Sequence, residues 1–174
     1  MIFLSHTTFI NKAIVRVSIN TMGVSNMNTV KQDNNDKLLE ISSVDAKALM
    51  DTDEVSYLID IRSSMEFLFI GHPVGAIHIP WMDEPDWEIN PHFAADIRKL
   101  LLGGTACTDK DHCANIILIC RSGNRSEMAG QVLLEAGLNR VHHVVDGFEG
   151  DKDDSSQRST LNGWRYYGLP WEQC

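Results

Sequence analysis

The stretch I-I-L-I-C-R-S-G-N-R-S, residues 116 to 126, constrains this chain more than any other. Ile116 to Ile119 is the most apolar short run in the sequence, and its length suits a strand buried on both faces. It changes abruptly into a polar loop containing Gly123, and a helical pattern follows from Asn124 to Ala136, with Gly137 as the C-cap. That pattern places Met128, Val132, Leu133 and Ala136 inward. In open α/β sheets the carboxyl ends of strands are where ligands bind. Cys120 occupies that position.

The same alternation runs through the rest of the chain. Leu38 to Ile41 reads as a short strand, and Ser42 or Ser43 caps a helix through Met50, with Val44, Ala48 and Leu49 on one side. Val55 to Ile61 is a second buried strand. Ser63 or Ser64 starts a short helix that Gly71 and Pro73 stop, and Gly75 to Pro80 is another short strand. His92 to Leu102 is helical, with Phe93, Ile97, Leu100 and Leu101 on its apolar face and Gly103-Gly104 ending it; Val141 to Val145 is a further strand. Strands alternating with helices predict an α/β fold with a parallel sheet covered on both faces.

A length of 174 residues gives one domain and a tail, and 43% hydrophobic against 22% charged residues is the composition of a chain that buries a core. Residues 1–37 read as a flexible segment and linker, and 38–172 as the domain. The first 32 residues carry Lys12, Arg16 and Lys31 and no acid, leaving the remainder at a net −12. Met1 to Gly23 is loosely like a transit peptide, but a plain tail, or a start codon upstream of Met22 or Met27, is the favoured reading, with a cytoplasmic location. The net charge of −9 argues against nucleic acid as a partner. No run is long and apolar enough to cross a bilayer, so no membrane partner is expected.

The chemistry is expected in the loop. Its successive backbone N–H groups, with Gly123 free to take a positive φ, curl into an anion-binding nest at the start of the helix. That nest, with Arg121 and Arg125, favours the thiolate of Cys120, the nucleophilic form. A structural cysteine has no need of two arginines, a glycine and two serines in the next six positions. Cys120 is therefore the candidate catalytic residue, and Arg121, Ser122, Gly123, Asn124, Arg125 and Ser126 are the candidate substrate-binding residues.

With this loop the chain resembles the single-domain rhodanese family of sulfurtransferases. L-I-D-I-R (58 to 62) is similar to that family's D-x-R strand end, and G-H-P-V-G-A-I-H-I-P (71 to 80) to its G-H-I-P-G-A segment. C-R-S-G-N-R-S resembles its active-site loop. D-G-F-E-G (146 to 150), N-G-W (162 to 164) and G-L-P-W (168 to 171) continue the series over residues 38 to 171. Glu149 departs from it, standing where many relatives carry a second glycine. The resemblance implies a rhodanese-like fold with a central parallel sheet of about five strands, and a reaction in which Cys120 takes sulfane sulfur from a donor such as thiosulfate and passes it to cyanide or a thiol. The partners implied are a small anionic sulfur donor and a thiol acceptor, which a protein can also supply. No metal or organic cofactor is required.

Two other readings of the loop fit less well. Cysteine phosphatases and arsenate reductases keep five residues between Cys and Arg, whereas four separate Cys120 from Arg125, and Ser126 stands where the bidentate arginine belongs. Asp83, Glu84 or Asp86 would have to act as general acid. A catalytically idle rhodanese-like binding module has no need of Cys120. Asp60 and Arg62 are read as loop support, and His72 and His78 as structural hydrogen-bonding groups. Cys107 and Cys113 bracket a polar loop with His112 and lack a fourth metal ligand. Cys174 is read as a frayed end. Trp164, Tyr166, Tyr167 and Trp171 are expected to seal the core, and Asp146 to Asp154 to form a solvated acidic loop.

Overall fold

The computed structural model describes residues 37–52, 55–103 and 114–173. The N-terminal segment, Cys107, His112, Cys113 and Cys174 lie outside these residues.

The apolar run at 116 to 119 becomes the central strand. With Asn115 it forms β5 (Asn115–Ile119), buried along its whole length. It lies between β2 (Ser56–Asp60) and β6 (Val141–Val144), and the sheet is completed by β1 (Leu39–Ile41) beside β6 and β4 (Ile77–His78) beside β2. All of these pairs are parallel, in the order β1-β6-β5-β2-β4. A small antiparallel pair, β3 (His72–Pro73) with β7 (Trp171–Glu172), stands apart.

Side chains alternate across a strand, so β5 feeds two cores. Ile116, Leu118 and Cys120 pack with Ile59, Ile61, Phe93, Ile97, Ala129 and Leu133, beneath α2 (Phe93–Gly103) and α3 (Asn124–Glu135). Ile117 and Ile119 pack with Ala46 of α1 (Ser43–Thr52) and with Val144, Phe148 and Trp164 on the other face. The layers are those of the rhodanese-like architecture expected from the sequence.

The helix faces differ from expectation. In α3, Met128 is 53% exposed and Val132 is also exposed, while Ser126, Ala129, Gly130 and Leu133 face the sheet. The reason is close approach: a Cβ on Gly130 would stand 2.5 Å from the Leu38 side chain, so only small residues fit along that line. In α1, Val44 is exposed and the buried positions are Ser43 and Ala46. Ser42 caps this helix by accepting the Asp45 amide at 3.1 Å. Asp146 is not a solvated carboxylate. It is buried and accepts the Ser43 amide (2.9 Å) and hydroxyl (2.8 Å), fixing the start of α1 from the end of the neighbouring strand β6. Of the C-terminal aromatics only Trp164 is sealed in the core, with its indole N–H on the Pro170 carbonyl; Tyr166, Tyr167 and Trp171 are exposed.

The short helix after Ser64 is largely π-helical, Glu66–Ile70. Ser63 and Glu66 form a reciprocal box at its start: the Glu66 amide donates to Ser63 Oγ (3.3 Å) and the Ser63 amide to Glu66 Oε2 (3.1 Å).

Candidate active site

Cys120 directly follows β5 and opens the turn into α3. The carbonyls of this turn are committed to the neighbouring segment: the Phe148 amide donates to Cys120 O (2.8 Å), and the Glu149 and Gly150 amides to Arg121 O (3.0 and 3.2 Å). The amides behave differently. Among the described residues, no acceptor takes the N–H groups of Arg121, Ser122, Gly123, Asn124, Arg125 or Ser126. With carbonyls turned outward and amides unspent at a helix N-terminus, the turn is a concentration of uncompensated N–H dipoles.

Two glycines allow this turn to lie where it does. Gly123 has φ +92°, and a Cβ there would meet the Val145 carbonyl oxygen at 2.1 Å; Gly147 has φ +63°, and a Cβ there would meet Arg121 backbone atoms at 2.6 Å. Neither position accepts a side chain without displacing backbone.

The thiol is 1% exposed, which is more enclosed than a loop cysteine needs to be. Its Sγ donates to Ser126 Oγ at 3.5 Å, and Ser126 Oγ donates to the Gly123 carbonyl at 2.8 Å. Ser126 is thus the hydroxyl that meets the sulfur. Ser122 and Asn124 lie in the same turn, and no bond of their side chains is seen among the described residues.

The arginines part company. Arg121 is exposed, with its Nε 3.9 Å from Glu66 Oε1. Arg125 is held by a fork: Nη1 to Glu66 Oε2 and Nη2 to Glu66 Oε1, both at 2.7 Å. Each of its terminal nitrogens therefore gives one N–H to Glu66. Burial works against the charge on Arg125, but the hydrogen bonds and charge of Glu66, with the negative fields of Cys120 and Asp60, prevail and raise its pKa. For Glu66, burial pushes the carboxyl up, yet Arg125, the Ser63 amide and Arg121 outweigh it and hold the group below its ordinary 4.5. Sequence reasoning missed Glu66. Its visible signal was the S-x-x-E spacing of Ser63 and Glu66, the mark of a capping box.

Asp60 and Arg62 sit one strand away, where the Ile61 amide bonds Ile119 O at 3.0 Å. They form a fully buried pair: Arg62 Nη2 lies 2.6 Å from Asp60 Oδ2, and Arg62 Nε and its amide also donate to Asp60 Oδ1. Nη2 also reaches Gly71 O, and the guanidinium lies 4.2 Å from the Phe148 ring centre. His78 bonds Arg62 O through Nε2, His72 bonds Phe67 O through Nδ1, and both rings stack on Phe67. Asp83 accepts the Ser64 amide and hydroxyl and the Glu84 amide. Partial burial raises its pKa, but these bonds prevail and lower it to about 2. Such a group has no proton to give at neutral pH.

Fold and site together define a parallel α/β domain that carries one cysteine at a strand–loop–helix junction. The profile of the Rhodanese-like domain family matches residues 42–154, and the chain belongs to that family. A crystal structure of a protein from M. tuberculosis is similar, with a TM-score of 0.64 and 32% identity over 78% of this chain and 97% of that one. An uncharacterised protein of Rickettsia rickettsii is 28% identical over 138 residues, covering 76% of this chain and 95% of its own. Thiosulfate sulfurtransferase 16 of Arabidopsis thaliana, a chloroplastic protein, is 30% identical over 114 residues, 64% of this chain and 76% of its own. Among the described residues no helix is long and apolar enough to cross a membrane, and no three His, Cys, Asp or Glu side chains are grouped to hold a metal ion.

Proposed function

We propose that this chain is a sulfurtransferase that carries sulfane sulfur as a persulfide on Cys120. The observation that carries this reading is the row of unspent amides from Arg121 to Ser126 around the start of α3, with Cys120 opening the row. The similarity to a thiosulfate sulfurtransferase supports it.

In the forward step the Cys120 thiolate attacks the outer sulfur of thiosulfate. The new S–S bond forms as the old one breaks, the electron pair leaves with sulfite, and Cys–S–S⁻ remains. The amides then hold the negative terminal sulfur, as preorganised dipoles hold an oxyanion. In the return step a thiolate or cyanide attacks that sulfur, and Cys120 leaves with the electron pair as thiolate. The hydroxyl of Ser126 accepts the resting thiol's hydrogen bond and is placed to turn toward the anion. A thiol 1% exposed is reached only by the slender end of a donor, which suits one sulfur atom better than a bulky ester. The partners are a small anionic sulfur donor and a thiol acceptor, which a protein can supply.

Intact mass after incubation with thiosulfate tests the reading. One added sulfur atom is expected, absent in Cys120→Ser and removed by cyanide. No added sulfur from any sulfane donor, together with hydrolysis of a phenyl phosphate, would replace this reading with the phosphatase one. No reaction of either kind would favour a binding module.

A further inference from the structure

The loop carries two guanidinium groups, but the structure leaves only one of them to a ligand. Arg125 gives both terminal nitrogens to Glu66, whose carboxylate is itself fixed by the Ser63 amide and by its place in the π-helical turn. The Glu66 side chain is only 12% exposed, so it has little room to swing away. The same carboxylate stands 3.9 Å from the remaining cation, Arg121. Two positive charges and one negative charge therefore lie at the loop that carries the thiol, and the guanidinium not held in a fork is that of the exposed Arg121.

A fixed charge changes the binding energy of an anion in proportion to that anion's own charge. Glu66 therefore penalises a dianion twice as much as a monoanion in the same position. We propose that Glu66 is a specificity-determining residue that, acting through Arg125, turns the Cys120 site toward singly charged sulfane donors and away from the thiosulfate dianion. The inference rests on the persulfide reading above and names the donor class for that same site. Glu66 stays ionised across the neutral range, because Arg125 and Arg121 hold its pKa down. The selectivity is therefore constant over that range.

Methanethiosulfonate is the matched probe. It is thiosulfate with one charged oxygen replaced by a methyl group, and it reacts in the same sense: Cys120 takes the outer sulfur, and methanesulfinate leaves with the electron pair. The readout is the ratio of kcat/KM for thiosulfate to kcat/KM for methanethiosulfonate. Its change on substitution cancels the intrinsic reactivities of the two donors. Glu66→Gln is expected to raise the ratio about fivefold, as one screened, partly exposed charge is removed. Arg125→Gln is expected to lower it by a similar factor, and the double variant to return within about twofold of the starting value. Glu66→Asp, which keeps the charge, leaves the ratio unchanged, and Arg125→Gln alone carries the test if Glu66→Gln does not fold. A role limited to bracing the loop would lower both rates in parallel with the ratio fixed in every variant, and that result would overturn the proposal while leaving the persulfide reading intact. Failure of both donors to form a persulfide on Cys120 would overturn both together.

Discussion

Two arginine–carboxylate pairs lie at the carboxyl end of the sheet, and they are built for different purposes. Asp60–Arg62 is sealed, with both side chains 0% exposed, and its members are two residues apart on one strand end. Glu66–Arg125 joins segments 59 residues apart and keeps 12% and 18% of its side-chain surfaces in contact with water. A sealed pair holds structure, because removing one partner strands a charge in the core. A pair at a rim is weaker as a brace, but its field reaches a ligand. The strands thus deliver one arginine to the frame and another to the loop that surrounds the nucleophile.

The largest effect that sharpens this contrast is on stability. Arg62→Met leaves Asp60 buried and unpaired and should cost about 3–5 kcal/mol in urea unfolding, whereas Glu66→Gln should cost about 1–2 kcal/mol. Equal losses would break the distinction. Next comes the turn itself. Gly123→Ala forces a side chain into positive φ and against the Val145 carbonyl, which should cost about 3 kcal/mol and lower kcat/KM about 100-fold by moving the amides. Near-normal activity in that variant would show that the turn's geometry is not what matters.

The smallest effect is in the pH dependence of stability. Burial, and for His142 also Arg140, lowers the pKa of His142 and His143 from 6.5, so the unfolded chain binds their protons first and stability begins to fall as pH drops through about 6.5. Glu66 and Asp83 are held below 4.5 and 3.8, Asp83 at about 2, so their contributions are complete above those ordinary values and disappear as pH falls toward the folded ones. Each group should contribute less than about 1 kcal/mol after screening. The urea midpoint against pH should therefore show a shallow decline below pH 6.5 and a steeper one below about 4.5. A midpoint unchanged from pH 7 to 5 would mean that the histidines do not oppose protonation.

The sheet was readable in the chain because a strand buried on both faces is largely apolar, as Ile116 to Ile119 is throughout and Leu58 to Ile61 is except at Asp60. The loop was readable because glycine, arginines and serines gather within six positions of Cys120. The helix faces were not. Where α3 meets the sheet, fit depends on smallness, and a ranking by hydrophobicity prefers Met128 and Val132 to Ser126, Ala129 and Gly130. Asp146 looked solvated because its partner, Ser43, lies 103 residues away. Glu66 escaped notice for the same reason. Its local capping partner is visible at a spacing of three, but nothing in the sequence shows that a fork from Arg125 closes on it. The consequence reaches function: two free cations were expected at the loop, and one is already paired.

The most direct test is a crystal structure of the protein after reaction with a sulfane donor. The account predicts extra density beyond Cys120 Sγ for one sulfur, within hydrogen-bond reach of several amides between Arg121 and Ser126, with Arg125 still on Glu66. A terminal sulfur turned among Ile61, Leu118 and Phe93, with the loop amides bonded elsewhere, would contradict it.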